Sequence, residues 1–145
     1  YRSEHSGGRF STKMWSSGYG ASNHISSANS CLGRYKETGI EQYKELFMIT
    51  AEAYYEADPP EAKVLYPKNF SGAISMMRKA YKITGEQRFL LKAVEYAERS
   101  IKGVMDSASP LPKASNKSDH YEAITGANGF MSNLLGLWKD LNDIN

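Results

Sequence analysis

The chain has 145 residues, with 18 Lys and Arg against 16 Asp and Glu, and is 41% hydrophobic, which fits one folded domain and argues against disorder throughout. The near-neutral balance gives no electrostatic case for nucleic acid or an anionic membrane, and no apolar run approaches the roughly 20 residues of a membrane span. A single cysteine, Cys31, excludes an internal disulfide framework and a multi-cysteine zinc site.

The chain starts at Tyr1 and shows no basic, apolar-cored leader, so it reads as one helical domain or as part of something longer. Residues 1–20 form an irregular, glycine- and serine-rich head. Phe10, Trp15 and Tyr19 punctuate it, and such rings either pack on a body or line a site. From residue 21 to 142 the pattern is helical. A first helix is expected from about Ser22 to Thr38, with Ser22 or Asn23 as cap and Gly39 as stop. A second runs from about Glu41 to Ala57, on the spacing of Tyr43, Leu46, Phe47, Thr50, Ala51 and Tyr54. Asp58-Pro59-Pro60 ends it. A third spans about Asn69 to Thr84, with an apolar face wide enough for burial on two sides. The fourth spans about Glu86 to Met105 and carries the narrower stripe Leu90, Val94, Ala97, Ile101 and Val104. A proline- and serine-rich linker follows, and the last helix covers about Asn128 to Leu141. No β alternation is present.

Tyr35-Lys36-Glu37-Thr38-Gly39 recurs as Tyr81-Lys82-Ile83-Thr84-Gly85, an offset of 46 residues. Tyr43 and Phe89 then fall at matching places. Each copy reads as helix, tight glycine turn, helix. Antiparallel αα-hairpins at this period suggest an all-α solenoid or part of a closed (α/α) toroid, and the period exceeds the roughly 34 residues of a tetratricopeptide array. Alternating wide and narrow apolar faces suit the inner and outer layers of a toroid. The segment from Phe130 to Asn142 looks like an unpaired third first-helix. Without closing hairpins, Phe130, Leu134 and Met77 would leave an apolar flank, which favours self-association or the remainder of a larger enzyme chain.

Tyr-Lys-x-Thr-Gly, followed by a charged residue and an aromatic, resembles the hairpin junctions of α/α-toroid enzymes that act on polysaccharides. These include the heparinase-type polysaccharide lyases and the six-hairpin glycosidases. Leu111-Pro112-Lys113-Ala114-Ser115, leading into His120-Tyr121-Glu122-Ala123, resembles a segment entering a late inner helix of such proteins. The resemblance covers roughly Ser22 to Asn142. It implies a C-terminal portion of a secreted or periplasmic enzyme, taking an acidic polysaccharide or oligosaccharide as substrate. No cofactor is expected, and because His5, His24 and His120 share no zinc-ligand spacing, no metal site is expected from this chain alone.

β-Elimination at a uronate needs a base, a carboxylate neutraliser and an acid for the leaving oxygen. His24 and His120, with Tyr19 and Tyr121, are the candidate catalytic groups, because both histidines precede or open an inner helix in polar, aromatic surroundings. Asn23, Trp15, Tyr66 and Glu122 are the candidate substrate-binding groups. The bland alternatives are concrete: histidine and tyrosine at helix starts serve as caps, and Ser118 or Asp119 with Glu122 fits a capping box. Tyr35, Tyr81 and Trp138 read as core, and Cys31 as a core thiol. Asn69-Phe70-Ser71 and Asn116-Lys117-Ser118 match the glycosylation pattern. Three function classes follow: a polysaccharide lyase, a glycoside hydrolase on the same architecture, and a non-catalytic helical repeat that binds another protein.

Overall fold

The computed structural model describes Trp15 and residues 19–143, and the side chains of residues 19–23 lie outside that description. Among the described residues the chain is all-helical, with five helices and no strand. The helices are α1 (Tyr19–Thr38), α2 (Glu41–Glu56), α3 (Pro67–Thr84), α4 (Gln87–Val104) and α5 (Ala127–Asn142). They fall into two compact units, Tyr1–Ala62 and Lys63–Asn145. No helix among the described residues is long and apolar enough to cross a membrane.

In the first unit α1 packs against α2. Ala28 and Leu32 of α1 and Phe47, Ala51 and Tyr54 of α2 are buried. The helix α1 opens at Tyr19, three residues before the expected start, so Ser22 and Asn23 lie inside it and not at its N-cap position. Trp15 is wholly buried. Its indole N–H donates to the Ala57 carbonyl at 2.6 Å, and its ring meets that of Tyr54 edge-on at 6.1 Å. Burial pushes the Tyr54 hydroxyl far above the usual phenol range, and the two rings pack together inside the unit.

In the second unit α3 lies between two partners, packing on both α4 and α5. Its buried set, Phe70, Ala73, Ile74, Met76, Met77 and Ala80, wraps more than one side of the helix, as the wide apolar face requires. Helix α4 buries a single stripe of Phe89, Leu90, Ala93, Tyr96, Ala97, Ser100 and Val104. That stripe is turned from the expected one: Ile101 is exposed and Val94 only half-buried. Met77 and Phe130 are fully buried, contrary to the expected apolar flank, because α3 is covered on both sides. The apolar residues left in solvent on α5 are Met131, Leu135, Trp138 and Leu141. Trp138 is 60% exposed and is not core.

The seam between α3 and α5 is ionic as well as apolar. Arg78 Nε donates to Asp140 Oδ2 at 2.6 Å and Lys82 Nζ lies 3.0 Å from Asp140 Oδ1. Arg78 Nη1 also reaches Asn133 Oδ1 at 3.3 Å, and Asn133 Nδ2 donates to Ser71 Oγ at 2.9 Å. Burial disfavours ionisation of Asp140, but Arg78 and Lys82 outweigh it and hold the carboxyl below its usual range.

The recurring pentapeptide makes the same junction twice. Gly39 N–H donates to Tyr35 O at 2.8 Å, and Gly85 N–H to Tyr81 O at 2.7 Å. Both glycines have left-handed φ, 70° and 73°, which a side chain disfavours. The threonine before each glycine does two jobs. Thr38 Oγ1 donates to Arg34 O at 2.7 Å and accepts from Ile40 N–H at 3.2 Å. Thr84 Oγ1 donates to Ala80 O at 2.8 Å and accepts from Glu86 N–H at 3.1 Å. The next helix opens alike, with Tyr43 N–H on Ile40 O and Phe89 N–H on Glu86 O, both at 3.1 Å. Equal sequence thus gives equal hydrogen bonding in two places.

Candidate site on the loop between α4 and α5

Residues 105–126 connect α4 to α5 and carry most of the candidate groups of the second unit. The loop is tied to the start of α3 by Asn116. Its Oδ1 accepts from Leu65 N–H at 2.8 Å, its Nδ2 donates to Lys63 O at 3.1 Å, and its own N–H donates to Leu65 O at 3.0 Å. A second tie runs from Lys68 N–H to Thr125 O at 3.1 Å. Gly126 lets the chain pass this close, since a Cβ there would lie 2.7 Å from Lys68 Cβ. The N-termini of α3 and α5 therefore share one end of the unit, and both are the positive ends of their helix dipoles.

Within the loop, Lys113 and Tyr121 face each other across a short antiparallel contact. Ala114 N–H donates to His120 O at 2.9 Å, and Glu122 N–H to Pro112 O at 3.3 Å. Lys113 N–H in turn closes onto Val104 O at 2.7 Å. No helix starts at residues 118–122, so the expected capping box of Ser118 or Asp119 with Glu122 does not form. Backbone pairing with residues 112–114 takes the place of the helical turn.

The polar side chains of this loop form two groups. In the first, Tyr121 Oη donates to Asp106, at 2.8 Å from Oδ1 and 2.7 Å from Oδ2, and Lys113 Nζ lies 3.3 Å from Oδ2. Ala108 N–H adds a bond to Asp106 Oδ1 at 2.9 Å. The Tyr121 hydroxyl, helped by the Ala108 amide and Lys113, holds the Asp106 carboxyl below its usual range. The same bond to Asp106 raises Tyr121 above the usual phenol value, and the charge of Asp119 adds to this. Tyr121 thus holds its proton as a donor. In the second group, Ser118 Oγ lies 2.7 Å from His120 Nδ1, and His120 Nε2 is 3.6 Å from Glu122 Oε2. The imidazole is largely exposed.

The other candidates divide as follows. Trp15 is a packing residue and offers no ring to a sugar. Tyr66 is half-buried at the start of α3. Its N–H donates to Asn69 Oδ1 at 2.9 Å, and Lys68 Nζ stands 5.7 Å from its ring centre. His24 is half-buried, five residues into α1 and not at its opening. Tyr19 and Asn23 also fall on α1, but their side chains lie outside the described residues. His120, Tyr121 and Glu122 are brought onto one loop. Asp106, Lys113 and Ser118 join them; the sequence names Ser118 only as a cap or within a glycosylation triplet and Lys113 only within residues 111–115, and gives Asp106 no role. The one local signal for Asp106 was the Asp-Ser-Ala turn pattern just after a helix. Among the described residues no group of three or more His, Cys, Asp and Glu is placed to hold a metal ion. Comparison with protein families, curated proteins and solved structures finds no match for the chain.

Proposed function

We propose that the chain is part of a carbohydrate-active enzyme of (α/α)-toroid type, a polysaccharide lyase that cleaves a uronate-containing glycan by β-elimination. The observation that carries this is the loop 105–126, where an exposed imidazole flanked by a carboxylate and a phenol held in its protonated form stand two groups apart on one short segment. The duplicated Thr-Gly junction supports the repeat architecture.

In this reading His120 Nε2 takes the proton next to the uronate carboxylate, and Glu122 stabilises the imidazolium that forms. The electron pair of the broken C–H bond becomes the new double bond as the glycosidic C–O bond breaks. The leaving oxygen takes the Tyr121 proton. Water then returns a proton to Tyr121 and removes one from His120, so the protein ends as it began. The positive ends of α3 and α5 favour an anionic substrate on that side of the unit. His24, Tyr19 and Asn23 belong to the other unit and are tested separately, by His24→Ala.

The alternatives are a glycoside hydrolase on the same architecture and a non-catalytic module that binds another protein. The second draws on the exposed Met131, Leu135, Trp138 and Leu141 of α5. The test is an assay on uronate polysaccharides that follows both the absorbance of an unsaturated product and new reducing ends. Both signals together support the lyase. Reducing ends alone favour the hydrolase, and neither signal leaves the binding module.

A further inference from the structure

The elimination reading needs Tyr121 to be aimed as a proton donor. A phenol with its ordinary pKa of about 10 keeps its proton near neutral pH, but nothing intrinsic to a loop fixes where it points. Three observations bear on this. Its hydroxyl reaches both oxygens of Asp106, at 2.7 and 2.8 Å. Asp106 is itself fixed by the Ala108 amide and by Lys113 Nζ. Lys113 is placed there by its backbone contact with Tyr121, so all three residues are set by one local fold.

We propose that Asp106, backed by Lys113, is a positioning residue for Tyr121. Its carboxylate anchors the phenol oxygen and holds the hydroxyl proton until a substrate oxygen replaces it as acceptor. This rests on the reading of loop 105–126 as the elimination site. A lone carboxylate beside Tyr121 would oppose the transient phenolate by like-charge repulsion. The Lys113 ammonium, 3.3 Å from Asp106, offsets that charge. Asp106 accepts from the Tyr121 hydroxyl, Lys113 lies against Asp106, and the charge of Asp119 also acts on Tyr121.

The experiment uses the 145-residue chain with tyrosine labelled at the ring carbon bearing oxygen, titrated by NMR, with Tyr121 assigned by its loss in Tyr121→Phe. In the unsubstituted chain Tyr121 should titrate above the ordinary phenol value. Asp106→Asn should bring it down towards that value, and Asp106→Glu should restore part of the rise. Unchanged titration in Asp106→Asn, with helical circular dichroism retained, overturns the proposal.

A second arm reads the pH–rate profile on a uronate polysaccharide, using the intact native polypeptide that carries these residues. There Asp106→Asn should move the alkaline limb to lower pH. Activity with an unmoved limb also overturns the proposal. A polypeptide with no activity on any uronate polymer removes the elimination reading, and with it the positioning role in catalysis, while the NMR arm still decides whether Asp106 holds the hydroxyl.

Discussion

Tyr121 and His120 are neighbours in the chain, yet their hydrogen bonds lead in different directions, one to Asp106 and one to Ser118 and Glu122. Substitution should therefore separate them. His120→Ala removes an exposed side chain and should leave the melting temperature nearly unchanged while lowering turnover by about 100-fold or more. Trp15→Ala should do the opposite, because it empties a buried site and removes the indole bond to the Ala57 carbonyl. A loss of about 3–5 kcal/mol in urea unfolding is expected, with no change in sugar binding by the folded protein. The glycosylation triplets give a third check. Asn116 holds both Leu65 and Lys63, and Asn69 accepts from Tyr66. Expression in a glycosylating host should leave the mass free of N-glycans, and a glycan on Asn116 would contradict the bracket described for it. The tie between Asp106 and Tyr121 spans 15 residues, and no local pattern in the sequence announces a contact of that kind.

At the scale of elements, the two Thr-Gly junctions should respond alike. Gly39→Ala and Gly85→Ala each force a side chain into left-handed backbone with open space around it, so each should cost about 1 kcal/mol. Costs differing by several-fold would show that the junctions are not equivalent. The α3–α5 seam predicts a pH dependence. The Asp140 carboxyl has a lowered value in the folded chain. Its contribution is therefore complete above the unfolded value near about pH 4, and is lost as pH falls through the lower folded value. Asp140→Asn should cost about 1–3 kcal/mol at neutral pH and flatten acid unfolding below that point. Helix existence and most boundaries were legible, since apolar periodicity, Gly39, Gly85 and the Asp58-Pro59-Pro60 stop are local signals. The early start of α1 was not, because Tyr19-Gly20-Ala21 carries no cap pattern. The buried face of α4 was half legible. Leu90, Ala97 and Val104 of the expected stripe are buried, Val94 is half-buried and Ile101 exposed, and the buried face also takes in Phe89, Ala93 and Tyr96.

For the whole molecule, the exposed face of α5 predicts association. Met131, Leu135 and Trp138 recur at helical spacing in solvent, and a contiguous apolar patch of this sort binds hydrophobic dyes and partners. Trp138→Ser should reduce dye binding and any concentration-dependent self-association, with little effect on melting temperature. The central claim, elimination on an acidic glycan, is tested most directly by one assay. The intact native polypeptide carrying these residues is incubated with a panel of uronate polysaccharides while ultraviolet absorbance and reducing ends are recorded together, beside His120→Ala and Tyr121→Phe. The account predicts that absorbance and reducing ends rise in step, and that both variants fall by about 100-fold or more while remaining folded. Reducing ends without absorbance, or full activity in both variants, would contradict it.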